Sequence, residues 1–242
     1  MIIDAHAHLD FLPEEKLIEI EKDKRIKYAV TNSVNLDSCK KNLEISKKFS
    51  KIKFASGLYP EDDLTLKKYG DFEEFVLKNK KEIIAIGEIG IDKTEKLDFE
   101  FQKEVFIKQL NLAKKLSFPV IIHTRKAEKE ALEILENYKD KLKVLLHCFS
   151  GNFKLVKKGV ELGFFFSIPA NVVRSEHFQK MLEIIPKNKI LTETDSPYLS
   201  PFPEKKNEPA FISESLKKIS EIWKIPEEEV EKQILINFEE FF

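Results

Sequence analysis

The chain has 242 residues, of which 42% are hydrophobic, enough to fill the core of one large α/β domain. Charged residues make up 34%, but Lys+Arg (41) and Asp+Glu (42) cancel to a net charge of −1, which excludes a molecule-wide basic field for drawing in nucleic acid. The two cysteines, Cys39 and Cys148, are too far apart for a C-x-x-C motif and too few for a disulfide framework, so a reducing compartment, the cytoplasm, is expected.

Read in chain order, short apolar runs alternate with longer segments of helical period. The first strand is expected at 2–8, "IIDAHAH", and ends on His6 and His8. A helix over 13–23 follows, opened by Pro13, then a strand at 27–33 and a helix at 37–49. The next pairs are a strand at 52–59 with a helix at 64–79, and a strand at 82–90, carrying Glu88, with a helix at 95–117. His123 ends a strand at 118–124 before a helix at 126–139, and His147 lies near the end of a strand at 143–150. Asn152 is the expected cap of a helix over 152–161, and Gly163 punctuates its C-terminal side before a strand at 163–169. Ser175 caps a helix over 175–185, and Asp195 ends the last strand at 189–195. The proline-rich stretch 196–209 reads as a long ordered loop, followed by a helix at 209–222 and a short one at about 226–237. The N-terminus lacks the basic and apolar pattern of a signal peptide, and no apolar run is long enough to span a membrane.

Eight strand–helix units in this length imply parallel strands closed into a (β/α)8 TIM-type barrel, a single domain over 1–242. A doubly wound sheet is the rival, but "HAHLDFLPEE" lacks the glycine-rich loop such sheets place after the first strand.

Four of the five histidines fall at C-terminal strand ends, the ends that converge on one face of a barrel. Alternation along a strand gives His6 and His8 a common face and sets His123 and His147 above apolar residues two positions earlier. Imidazoles with two carboxylates, Glu88 and Asp195, at one mouth make a metal site suited to Zn, Mn, Ni, Co or Fe(II). Six donors exceed the needs of one tetrahedral ion; two ions sharing a carboxylate would use them all and could lower the pKa of a bound water to roughly 7, which is hydrolytic chemistry. The fifth histidine, His177, reads as an exposed helix-start residue, and Cys148 as a small buried neighbour of His147.

The motifs "DAHAHLD" (4–10), "AIGEIGID" (85–92), "PVIIHTR" (119–125), "LHCFSG" (146–151), "ETDSPYLSP" (193–201) and "NEPAF" (207–211) resemble, in order and over nearly the full length, those of the TatD family of metal-dependent deoxyribonucleases. The resemblance implies a TIM-like barrel with two divalent ions (Zn, Mn, Mg, Ni or Co). His6, His8 and Asp195 would serve the first ion, His123 and His147 the second, and Glu88 would bridge. Asp195 would also take the proton of the attacking water. DNA is the implied substrate, with Arg125, Lys205, Lys206 and Asn207 as candidate phosphate contacts; no membrane and no obligate protein partner are implied. A C–N or ester hydrolase, acting on a small molecule or an aminoacyl-tRNA through the same centre, is the alternative. A binding scaffold with structural metals is a third reading, disfavoured because structural sites close on four ligands. The chain departs from the family at "GLYP" (57–60), where a histidine often precedes the proline, at "GIDK" (90–93), and in the loop after "DSPYLSP", which lacks an arginine often found there.

Overall fold

The structure is a computed structural model that describes residues 1–61 and 66–242. Strand β1 (Ile2–Ala7) leads to α1 (Glu14–Lys22), β2 (Ile26–Asn32) to α2 (Leu36–Lys48), β3 (Ile52–Ser56) to α3 (Tyr69–Asn79), and β4 (Ile83–Asp92) to α4 (Phe99–Leu116). The second half repeats the unit with β5 (Val120–Arg125) and α5 (Glu128–Leu135), β6 (Val144–Leu146) and α6 (Phe153–Glu161), β7 (Phe165–Pro169) and α7 (Glu176–Ile184). It closes on β8 (Ile190–Glu193), α8 (Ile212–Trp223) and α9 (Glu227–Phe241). The first residues of the helix expected at 64–79, namely 64 and 65, lie outside the described residues.

The eight strands pair in sequence order, and each neighbouring pair from β1 to β8 is parallel. That is the (β/α)8 barrel the alternation predicts. Strands such as β1 and β7 are buried at every position because barrel packing covers one face and helices the other. The helices keep lysines and glutamates outward and pack small or apolar residues inward. Gly159 of α6 shows how close that packing is: a Cβ there would lie 2.7 Å from the Phe166 ring on β7. Caps fall where expected, with Asn152 accepting from the amides of Lys154 and Leu155 at 3.0 and 3.2 Å and Ser175 accepting from Phe178. Helix α9 runs past its expected end at 237 because Phe238 and Phe241 continue its buried stripe.

Closure between β8 and β1 relies on side chains as well as backbone. Buried Asp4 accepts from the Thr194 amide at 2.9 Å and from the Thr194 hydroxyl. Thr192 Oγ1 donates to the Ile3 carbonyl at 2.6 Å, and the amides of Asp195 and His8 donate across the seam to His6 and Ser196. Burial, opposed by the Thr194 hydrogen bonds, pushes the Asp4 carboxyl up to about 7.

Of the register shifts along the sheet, two bear on the site. On β1, Asp4 pairs with Ala29 and Ala7 with Thr31, so three steps face two; on β4, Ile86 pairs with Val120 and Ile89 with Ile122. Each is a bulge, and each lies at a residue the sequence picks out, His6 and Glu88. Bulges re-aim side chains beside functional sites.

The hydroxyl of Thr194 serves Asp4, the Ser196 amide and the Ser196 hydroxyl at once. Thr194→Val is expected to lower stability by about 2 kcal/mol, the cost of leaving buried partners unpaired. Thr194→Ser should stay near the parent. Urea midpoints at constant m-value would check this; an unchanged midpoint in Thr194→Val would contradict the role of the seam.

Candidate metal centre

Three strands and the loops after three strands carry the six expected donors to one end of the barrel. His6, Glu88 and His123 lie on β1, β4 and β5. The strands at His147 and Asp195 are shorter than the sequence suggests: β6 stops at Leu146 and β8 at Glu193, so these two residues sit just beyond, as does His8 after β1. Alternation therefore does not aim these three. Asp195 adopts φ +57° instead, and the backbone turns its carboxylate back toward the axis.

His6 Nε2 lies 3.2 Å from Glu88 Oε2 and 3.5 Å from Asp195 Oδ1. His8 Nε2 lies 3.4 Å from Asp195 Oδ1 and 3.8 Å from Glu88 Oε1. His147 Nε2 is also 3.2 Å from Glu88 Oε2, its ring stacked on that of His6 at 3.8 Å, and His123 Nδ1 is 3.3 Å from His147 Nε2. Glu88 thus meets His6, His8 and His147 at once. His6, Glu88 and His147 form one set close enough to share a cation, and His6, His8 and Asp195 form another.

Outer partners assign the tautomers. His8 Nδ1 faces the Asn32 carbonyl at 3.3 Å, which makes it the N–H donor and leaves Nε2 with its lone pair toward the carboxylates. His147 Nδ1 faces Glu193 at 3.4 Å, and Glu193 is itself held by the Ser167 hydroxyl at 2.5 Å. His123 Nε2 faces Asp92 at 3.2 Å. In their neutral forms, His123 Nδ1 and His147 Nε2 therefore point lone pairs at each other. Both ring nitrogens of buried His6, and Glu88 Oε2, have no hydrogen-bond partner. Acceptors facing acceptors, with His8, His123 and His147 backed by a carbonyl or a carboxylate, suit divalent cations.

Charge in the metal-free cluster follows the same geometry. Burial opposes ionisation of His8, but Glu88 and Asp195 outweigh it and hold the imidazole up at about 9. Burial likewise opposes the charge on His147, which Glu193 and Glu88 push well above the ordinary histidine range. Burial would raise Glu88 and Asp195, yet the surrounding histidines hold both below the usual carboxylate range.

The cluster floors a cavity of about 570 Å³ whose wall includes Phe11, Tyr59, Glu61, Glu95, Arg125, Cys148 and Tyr198. Arg125 is the one basic side chain on that wall among the described residues. Lys205 and Lys206 are exposed on the 196–209 loop but do not line the cavity. Asn207 is buried and committed to backbone: its amide donates to the Thr194 carbonyl at 2.7 Å and its oxygen accepts from Glu208 at 3.0 Å. It braces the loop behind Asp195 and has no free group for a phosphate. His177 is half-buried against Phe153, with Nε2 3.3 Å from the Phe149 carbonyl, far from the cluster's contacts. Cys148 is half-buried at the cavity wall rather than fully enclosed.

Sequence reasoning missed Asp92, Glu193 and Asp4 as supports. Each lies within one of the six family-like motifs, two or four residues from a proposed donor, but nothing in those motifs marks it as a support.

The family profile described as TatD related DNase matches residues 3–242. The chain belongs to the TatD related DNase family. It is 35% identical to an uncharacterized metal-dependent hydrolase of Methanocaldococcus jannaschii, over 99% of this chain and 96% of that one. It is 32% identical to the human deoxyribonuclease TATDN3, over 95% and 90% of the two chains. The crystal structure of the TatD homologue YjjV from Escherichia coli superposes with a TM-score of 0.86 at 23% identity, covering 100% of this chain and 97% of that one, and shares the fold.

Cations compete with protons at this cluster, because His8 and His147 must be neutral to ligate. The raised value of His8 stabilises the metal-free fold fully below about 6.5, and that contribution is lost as pH rises through about 9; His147 acts in the same direction. Loading with Zn²⁺ or Mn²⁺ at pH 7 is therefore expected to release about one proton or more per chain, and progressively fewer toward pH 9. Calorimetry in buffers of different ionisation enthalpy reads this directly; proton-neutral binding at pH 7 would contradict the charge state described.

Proposed function

We propose that the chain is a metal-dependent hydrolase that cleaves DNA phosphodiester bonds at this centre with two divalent ions. The observation that carries the reading is the convergence of three imidazoles on the buried Glu88 carboxylate, whose Oε2 has no hydrogen-bond partner. His6, His8 and Asp195 would hold one ion, His123 and His147 the other, and Glu88 both. A divalent pair of this kind supplies Lewis acidity toward the phosphoryl oxygens and acidifies the attacking water.

Exposure divides the work between the carboxylates. Glu88 is 4% exposed and lies deep between imidazoles, which suits a bridging ligand. The side chain of Asp195 is 16% exposed and faces the cavity, which suits the group that receives the water proton. Its low pKa makes it a weak base, so its contribution is placement rather than basicity. Arg125 is suited to a bidentate phosphate contact. Phe11 and Tyr198, 50% and 54% exposed beside His8, offer faces on which unpaired bases can stack. Lys205 and Lys206 would act, if at all, on a longer strand beyond the cavity.

A second reading keeps the centre and changes the substrate to an amide or ester of a small molecule or an aminoacyl-tRNA. Glu61 and Glu95 on the cavity wall favour it, since they would repel a polyanion. We further propose a cytoplasmic location, from the two unpaired cysteines. Among the described residues, no helix is long and apolar enough to cross a membrane.

Single- and double-stranded DNA assayed with Mg²⁺, Mn²⁺ or Zn²⁺ distinguishes the readings. Cleavage abolished by EDTA, and lowered about 10²–10⁴-fold by Asp195→Asn, is the expected result. His6→Ala and His123→Ala should lose activity while His177→Ala keeps it. Ester or amide turnover without DNA cleavage would favour the second reading, and equal losses in all three histidine variants would refute the site.

A further inference from the structure

Tyr59 lies in the segment after β3, in the stretch "GLYP" (57–60). Its backbone is tightly held. Its amide donates to the Val34 carbonyl at 2.8 Å, and buried Gln109 clasps the amide and carbonyl of Leu58 at 2.8 and 3.0 Å. The phenol packs edge-on against His123, with ring centroids 4.7 Å apart. Its hydroxyl donates to Asp92 Oδ2 at 2.7 Å and lies 3.3 Å from His123 Nε2.

Asp92 is fixed on every side. Its Oδ1 accepts from the amide and hydroxyl of Thr94 at 2.7 and 2.6 Å, and Gln102 clasps its main chain at 2.8 and 3.0 Å. Its Oδ2 is left with two donors, Tyr59 at 2.7 Å and His123 Nε2 at 3.2 Å. The shorter contact belongs to the phenol. Tyr59 therefore limits how far Asp92 can pull the imidazole, while keeping the carboxylate aligned as the acceptor for Nε2–H.

We propose that Tyr59 is a positioning residue that acts through Asp92 to hold His123 in the Nε2–H tautomer, with Nδ1 presented toward His147. On the two-ion reading, on which this consequence rests, the effect is confined to the ion held by His123 and His147. Partners behind a metal-ligating histidine typically change metal affinity by about 10–100-fold. His6, His8 and Asp195 make no contact with Tyr59, so the other ion should not feel its loss.

The test is Tyr59→Phe, which keeps the ring and removes the hydroxyl. Long-range ¹H–¹⁵N spectra of the metal-free protein at pH 8 should show His123 as the Nε2–H tautomer in the parent and as a mixture in the variant. Titration with Mn²⁺ against a competing chelator should show one equivalent weakened about tenfold and the other unchanged. In the background of Asp92→Asn, Tyr59→Phe should add no further loss, because both act through one carboxylate. An unchanged His123 spectrum in Tyr59→Phe overturns the proposal. So does equal weakening of both equivalents together with a lowered melting temperature, which would mark a merely structural role. If the parent takes up fewer than two Mn²⁺ while the tautomer shift persists, the two-ion reading fails and the role of Tyr59 stands.

Discussion

Lone pairs aimed at lone pairs, with little water to screen them, are the constraint on which the mouth of this barrel depends. Unpaired buried acceptors are costly, and a cluster of carboxylates and imidazoles survives only if the scaffold prevents its collapse. Here the scaffold is the β8–β1 seam and the two bulges. The Asp4–Thr194 pair ties the strand bearing His6 to the loop bearing Asp195. The bulge at Glu88 brings the carboxylate against the Nε2 edges of His6 and His147, whose rings stack at 3.8 Å. Metal-free, the cluster is eased by protons on His8 and His147. Cations of the kind proposed would replace those protons with a better-matched charge.

The outer ring of groups is as ordered as the inner one. Asn32, Asp92 and Glu193 each face the outer nitrogen of a different histidine, and each comes from a different strand. Since the strands are rigid and parallel, these partners fix ring orientation with no help from mobile loops. Gly90 serves the same end: a Cβ at this position would fall 1.8 Å from the His123 carbonyl, so only glycine lets β4 and β5 approach at the level of the site. The loops supply what must face substrate, namely Arg125 at the end of β5, Tyr198 beyond Asp195, and Phe11 after His8.

Much of this was legible from residue order. The eightfold strand–helix alternation and the position of polar residues at strand ends were enough for the barrel and for gathering the six donors, because burial on both faces makes parallel strands conspicuous. Strand ends were less legible. Cys148 and Phe149 of "HCFS" and the β-branched threonines of "TETD" suit a strand, so pairing is expected to extend to 150 and 195, while the structure releases the chain at Leu146 and Glu193. The outer carboxylates were hidden for a related reason. Nothing in "GID" or "ETD" distinguishes a carboxylate that supports a histidine from one that caps a turn, since the difference lies in contacts between strands. Asn207 illustrates the reverse case: a polar residue after two lysines on a proline-rich loop reads as a phosphate contact, but the loop folds inward and spends it on the Thr194 carbonyl.

Anomalous diffraction from crystals grown with Mn²⁺ or Zn²⁺ tests the central claim most directly, since it counts and locates ions without reference to any substrate. Two peaks flanking the Glu88 carboxylate are expected, one contacting His6, His8 and Asp195 and the other His123 and His147. A single peak, or peaks away from Glu88 with the six side chains unengaged, would contradict it.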